Sequence, residues 1–292
     1  MLKTICVKTD NENISKYLLE ELDYFDFQDI YVSCYNFRFY TNVIIHYVGK
    51  KVDLFLNKIS TLLSYLVIDF YQPILIRKLI NTNYFYFSTE DKKEIYNLCL
   101  TNVDLSNSIS MLNSISNAFY KYFLDNKYVI LDGFVNFKLN EYIKELDSVV
   151  DMCVNKFIID KEYNEFINLL RTYIQTSSCT TDVVHLVYNN QKSILLDSDR
   201  NVIEFKNNFI NSKYISDISF SSNDFALNSL LTLLPQKLYI HLIDKEDDFI
   251  NMLKLIFNDR VFICSDCDLC NIYKNKKIII NHKVWLSTLI VL

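Results

Sequence analysis

A chain of 292 residues with only 2 Gly and 2 Pro has few places where its backbone can turn freely. Glycine reaches positive φ without a Cβ penalty, and average usage is about 7% Gly and 5% Pro. Turns here must draw instead on residues such as Asn, whose short polar side chain tolerates the left-handed region. Alanine is equally scarce, at Ala118 and Ala226 alone, whereas Asn, Ile, Lys, Tyr and Phe abound. Gly, Ala and Pro have GC-rich codons, so the bias reads as that of a very AT-rich genome. It also excludes chemistry. The chain has no G-x-G-x-x-G, G-x-x-x-x-G-K-[ST] or G-x-S-x-G, so dinucleotide, P-loop and serine-elbow sites are not expected.

With 50% hydrophobic and 22% charged residues, the chain can bury a substantial core and does not read as disordered. A net charge of -5 supplies no overall attraction to nucleic acid, and none is expected as a partner. The N-terminus has no signal-peptide pattern. The longest apolar stretch, Leu62 to Ile76, is interrupted by Asp69, Gln72 and Pro73 and falls short of the roughly 20 residues of a membrane span. No transmembrane segment is expected, and the reading is a cytoplasmic protein. In a reducing compartment the eight cysteines, at 6, 34, 99, 153, 179, 264, 267 and 270, read as buried thiols or ligands rather than disulfides.

Periodicity predicts an α+β chain: a small N-terminal α/β layer, a helical middle and a C-terminal α/β module. The expected boundaries are 1–68, 69–178 and 179–292. In the first, Thr4 to Lys8 alternates as a strand, and Asp10-Asn11-Glu12-Asn13 offers capping chemistry for a helix. Ile30 to Tyr40 and Asn42 to Val48 read as strands, with a turn at Tyr40-Thr41-Asn42 and a β-α-β-β-α order overall. In the middle, Ser88 reads as the cap of an acidic helix start. From Leu139 to Phe157 apolar residues recur at helical spacing, and the pattern resumes with Tyr163, Phe166, Ile167, Leu169, Leu170 and Tyr173. Beyond Gln175 the period becomes two: Val183 to Tyr188 and Lys192 to Leu196 read as a hairpin, and Val202 to Phe205 as a further strand. A helix capped at Ser222-Asn223-Asp224 ends at Pro235. Strand, helix and strand follow at 238–243, 247–257 and 260–264.

Asp132-Gly133-Phe134, with Asn136-Phe137-Lys138-Leu139 and Tyr142, opens the strongest helical pattern. Val150-Asp151, Lys161-Glu162-Tyr163, Phe166, Leu169-Leu170 and Val184-His185-Leu186 follow. As a set these residues resemble the signature of the YtxC-like sporulation proteins of spore-forming Gram-positive bacteria, from Tyr84 to about Val202. Lys138 departs from the arginine more usual there, and would grip an anion less well if that position binds one. The resemblance implies a role in sporulation and no catalytic residues.

Read by themselves, the same residues allow two interpretations. In one, Gly133 makes a tight turn and Asn136 caps a helix beginning near Phe137. In the other, Asp132, Gly133, Asn136, Lys138 and Tyr142 form a small polar site for an anion or a partner peptide. Asp160, Lys161, Glu162 and Glu165 read as a charge-paired surface turn rather than an acid–base pair. His46 and His185 lie in apolar strand patterns and read as ordinary strand residues. The apolar end, 284–292, reads as an element docked on the core, or as a contact for a partner or membrane surface.

The other chemical feature is Cys264-Ser265-Asp266-Cys267-Asp268-Leu269-Cys270, two overlapping C-x-x-C pairs. Three thiolates from one short loop suit tetrahedral zinc or an iron–sulfur cluster. A fourth ligand is missing locally; His282 and His241 are the nearest candidates, and His282 is the one chosen with the three cysteines. Thiol redox chemistry and ordinary buried cysteines are the alternatives. The whole reads as a binding or assembly factor with a protein partner. A metal-dependent redox or regulatory protein is second, and an acid–base enzyme third, because no side-chain constellation supports one.

Overall fold

The structure, a computed structural model, describes residues 3–24, 29–106, 108–203 and 221–275. The chain separates into two compact units, Met1–Asp160 and Lys161–Leu292. The α+β expectation holds: helix and strand are mixed, with one four-stranded sheet in each unit.

In the first unit β1 (Lys3–Thr9), α1 (Glu12–Asp23), β2 (Ile30–Asn36), β3 (Thr41–Tyr47) and α2 (Val52–Leu66) follow in the expected order. The Asn11 side chain accepts from Asn13 N at 2.9 Å and starts α1, as its polar run suggested. The β2–β3 turn lies earlier than Tyr40-Thr41-Asn42: Phe37 N donates to Tyr40 O at 2.9 Å, and Thr41 already pairs with Asn36. Alternation then sends Ile5 and Val7, with Val43 and Ile45, into the core.

A π-helical turn, Val67–Tyr71, joins α2 to α3 (Gln72–Asn83). The cause is Pro73, which has no N–H and would clash with a carbonyl one turn back. Widening the turn, with Gln72 N donating to Val67 O, lets the helix continue. The combined stretch Val52–Asn83 is long and apolar enough to cross a membrane by length and composition, contrary to the reading from Leu62 to Ile76 alone. Its window is 61% buried, and Phe55, Ile59, Leu63, Leu66 and Ile76 are fully enclosed in this unit's core. That is the position of a core helix.

Then come α4 (Thr89–Ser106), α5 (Ser108–Asp125), β4 (Tyr128–Ile130), α6 (Leu131–Lys138) and α7 (Asn140–Thr176). Ser88 caps α4 as expected, its Oγ accepting from Asp91 N at 3.1 Å. β4 returns to the N-terminal sheet and pairs parallel with β1, giving the order β2-β3-β1-β4. The helices up to Asp160 and the small α/β layer share one core.

Gly133 does not make a turn. No glycine has positive φ among the described residues, and Gly133 sits inside α6, which begins at Leu131. Asn136 is likewise interior: its Nδ2 donates to Asp132 O at 2.8 Å, so it does not cap the next helix. Burial of Leu131, Phe134 and Val135 on the core outweighs the cost of one helical glycine. The long helix α7 runs uninterrupted for 37 residues. Its first half buries Tyr142, Leu146, Val150, Cys153 and Phe157; beyond, only Ile167 and Ile174 are buried, and Tyr163, Phe166, Leu169 and Tyr173 stay exposed.

The second unit contains β5 (Thr181–Asn189), β6 (Lys192–Leu196), α8 (Ser222–Leu233), β7 (Pro235–Leu242), α9 (Asp248–Phe257), β8 (Val261–Cys264) and α10 (Asp268–Asn275). The β5–β6 hairpin turns at Asn190 and Gln191, with φ of 47° and 59°, the double left-handed turn that usually takes Asn-Gly. Val202 forms only an isolated bridge to Leu196, Ile203 N donates to Leu195 O at 2.9 Å without forming a strand, and Glu204 and Phe205 lie outside the described residues. Ser221 and Asp224 form a full capping box for α8. Pro235 follows Leu234, held at φ 41°, and opens β7 at a first-strand position where its missing N–H does no harm. The sheet order is β6-β5-β7-β8, with β5, β7 and β8 parallel. Val184, Leu186, Leu238 and Ile240 line the buried face against α8 and α9.

Candidate metal centre

The opposite face of that sheet carries His185 on β5, Tyr239 and His241 on β7, and Phe262 and Cys264 on β8, because side chains alternate along a strand. Parallel register sets His241 directly beside Cys264. The chain bends after Cys264, over residues 265–267, and Cys267 immediately precedes α10. There its Sγ accepts from Cys270 N at 3.5 Å, while Asn271 N donates to Cys267 O at 2.9 Å. Lys274 Nζ ties the bend by donating to Ser265 O at 2.6 Å. A helix start thus turns Cys267 and Cys270 back toward the strand end.

The four ligand atoms of His241, Cys264, Cys267 and Cys270 all lie within 4.8 Å of one another. Cys267 Sγ is 3.6 Å from Cys270 Sγ, which is 3.8 Å from Cys264 Sγ. His241 Nδ1 is 3.3 Å from Cys267 Sγ and 3.4 Å from Cys270 Sγ. A tetrahedron with Zn–S of ~2.3 Å and Zn–N of ~2.0 Å has edges of about 3.8 Å and 3.5 Å. Four of the six separations lie near those edges, so the donor set could hold a single four-coordinate ion. A multi-iron cluster holds its thiolates on separate irons and needs them farther apart.

The electrostatics suit a neutral imidazole and act in opposite directions on two of the thiols. Burial, then the charges of His185 and Arg200, pushes the His241 pKa down to about 4, so its ring is an uncharged donor at neutral pH. Burial raises the Cys270 thiol to about 11. Burial also acts upward on Cys267, but hydrogen bonds from the Cys270 backbone and from Cys264 and Cys270 prevail and lower it. Cys270 is fully buried, and Cys264 and Cys267 are partly so.

His282, the histidine chosen from sequence, lies outside the described residues; His241 occupies the fourth position. The available signal was the run Leu238 to Leu242, where alternation puts His241 opposite to Leu238 and Ile240. His185, read as an ordinary strand residue, places Nδ1 3.0 Å from His241 Nε2.

The residues around Gly133 go to different places. Tyr71 donates to Asp132 Oδ1 at 3.2 Å, and Asp132 Oδ2 is buried without a partner. Tyr142 is enclosed and donates to Gln72 Oε1 at 2.8 Å. Lys138 lines a polar groove of about 700 Å³ with Lys121, Asp125, Asn126 and Glu141. Asp160, Lys161, Glu162 and Glu165 are all exposed on α7.

The family model of the YtxC-like family matches residues 57–262, and the chain belongs to that family. It is 24% identical over 130 residues to the uncharacterized protein YtxC of Bacillus subtilis (strain 168). That alignment covers 44% of this chain and 46% of the relative, less than half the length of either. No solved structure matches. The family match takes in His185 and His241 and ends before Cys264.

Proposed function

We propose that this protein is a cytoplasmic, zinc-stapled binding factor that acts in sporulation, with the metal held by His241, Cys264, Cys267 and Cys270. The carrying observation is the gathering of one imidazole nitrogen and three sulfurs within 4.8 Å of one another, with four of the six separations at 3.3–3.8 Å. A full set of four protein ligands is the mark of a structural zinc rather than a catalytic one, which keeps a position open. Zinc there joins the ends of β7 and β8 to α10, beside the small apolar cluster that Leu269 and Tyr273 form with Val187 and Leu196. The sporulation role comes from the family resemblance, and the geometry is neutral toward it.

The binding part of the reading is supported by α7. Within the second unit Tyr163, Phe166 and Tyr173 are 43–48% exposed at spacings of 3 and 7 residues, a single apolar stripe on one helix. Such a stripe is of the kind a protein partner covers. Among the described residues no acid–base or nucleophile constellation favours an enzyme.

The test is elemental. Protein purified without oxygen is assayed for zinc, iron and sulfide per chain, beside a Cys267→Ser variant. One zinc per chain, absent from the variant, supports the reading. Metal-free protein of unchanged stability would leave the cysteines as ordinary buried thiols, and iron with sulfide would replace zinc by a cluster.

A further inference from the structure

We propose that His185 is the positioning residue of the metal centre: it accepts the Nε2–H of His241, and so leaves the Nδ1 lone pair facing the thiols. The inference rests on the zinc reading above and adds a residue to it. The two nitrogens of His241 face different partners, Nδ1 the sulfurs of Cys267 and Cys270, and Nε2 the Nδ1 of His185 at 3.0 Å. A neutral imidazole carries one proton. If Nδ1 is to bind a metal, the proton must sit on Nε2, and His185 Nδ1 is the acceptor that holds it there. His185 then keeps its own proton on its Nε2.

His185 is itself braced. Its ring stacks on Tyr239 at 5.3 Å and 22°, and Tyr239 stacks on Phe262 at 5.3 Å and 28°. The parallel register aligns these three residues in one row across β5, β7 and β8. The next row holds His241 and Cys264. The same strands that supply two ligands therefore supply the support of one of them, and a ligating histidine held through its second nitrogen binds its metal more tightly.

The test uses the full chain loaded with zinc and titrated with a chromogenic zinc chelator. His185→Ala is expected to weaken zinc binding by ~10–100-fold at unchanged far-ultraviolet dichroism. His185→Asn, whose Oδ1 stands where Nδ1 was, is expected to recover most of that loss. A nitrogen-15 spectrum of the zinc-loaded wild type should show His241 protonated at Nε2, and this decides the matter if His185→Ala does not fold. Zinc affinity unchanged in His185→Ala, an equal loss in His185→Asn, or a proton on His241 Nδ1 would each overturn the inference while leaving zinc binding intact. A wild type that binds no zinc would instead remove the zinc reading, and this one with it.

Discussion

His241 and Cys264 stand side by side across the parallel register of β7 and β8, and the rest of the candidate metal centre is built around that pairing. One strand ends in a thiol, its neighbour offers an imidazole on the same face, and α10 returns two more thiols to the gap. The pairing predicts that the ligands act together. Replacing Cys270, which is fully buried, by Ala should release zinc as completely as Cys267→Ser, and should lower the melting temperature of the zinc-loaded protein. In protein already stripped of metal by a chelator, Cys270→Ala should change that temperature far less. Differential scanning calorimetry on the four samples checks this.

The two glycines give opposite expectations. A Cβ on Gly49 would lie 2.2 Å from Tyr47 Oη and within 2.7 Å of two further ring atoms. That ring is fixed, stacked on Phe55 at 4.8 Å and accepting from Lys51 N at 3.0 Å. Gly49→Ala should therefore destabilise by about 1–3 kcal/mol, as overpacking does. Nothing lies within 4 Å of a Cβ on Gly133, which is helical, so Gly133→Ala should stabilise by about 0.5–1 kcal/mol. Denaturant melts of the two variants decide. A stability loss in Gly133→Ala would show that this glycine is held for its backbone.

Tyr142→Phe should cost about 1–3 kcal/mol, because it leaves the Gln72 side-chain oxygen buried without its donor. Adding Gln72→Leu to it should recover part of the loss. A double-mutant cycle in urea measures the coupling, and a value near zero would free Tyr142 for a role outside the core.

Tyr188 should make stability fall at high pH. Burial, then its hydrogen bond to Asp247, pushes its pKa up from 10.0 to about 12. The folded state thus holds the phenolic proton where the unfolded chain begins to lose it. The contribution is complete below pH 10 and is lost as pH rises through about 12. Unfolding curves across that window should show a decline that Tyr188→Phe reduces.

Much of this fold was legible because local chemistry and tertiary packing agree. The Ser88 cap, the first half of α7, the hairpin at Asn190 and the strand–helix–strand end all follow from period and capping. The glycine scarcity was legible too: Asp29, Asn190 and Asn258 take positive φ, though Gln191, Arg200 and Leu234 do so as well. What was hidden depends on distant partners. Pro73 reads as a break, but a π turn absorbs it inside a buried helix. Gly133 reads as a turn until Leu131 and Phe134 are seen to be buried on either side of it. At the candidate metal centre the three cysteines are visible as spacing, while His241 joins them only through the register of two strands joined by α9.

X-ray absorption at the zinc edge, on anaerobically purified protein, tests the central claim most directly. The account predicts one zinc per chain with three sulfurs at ~2.3 Å and one nitrogen at ~2.0 Å, and loss of that nitrogen in His241→Ala. A nitrogen that persists in His241→Ala would contradict the assignment of the fourth ligand. Metal-free protein, or iron with iron neighbours, would contradict the zinc centre itself.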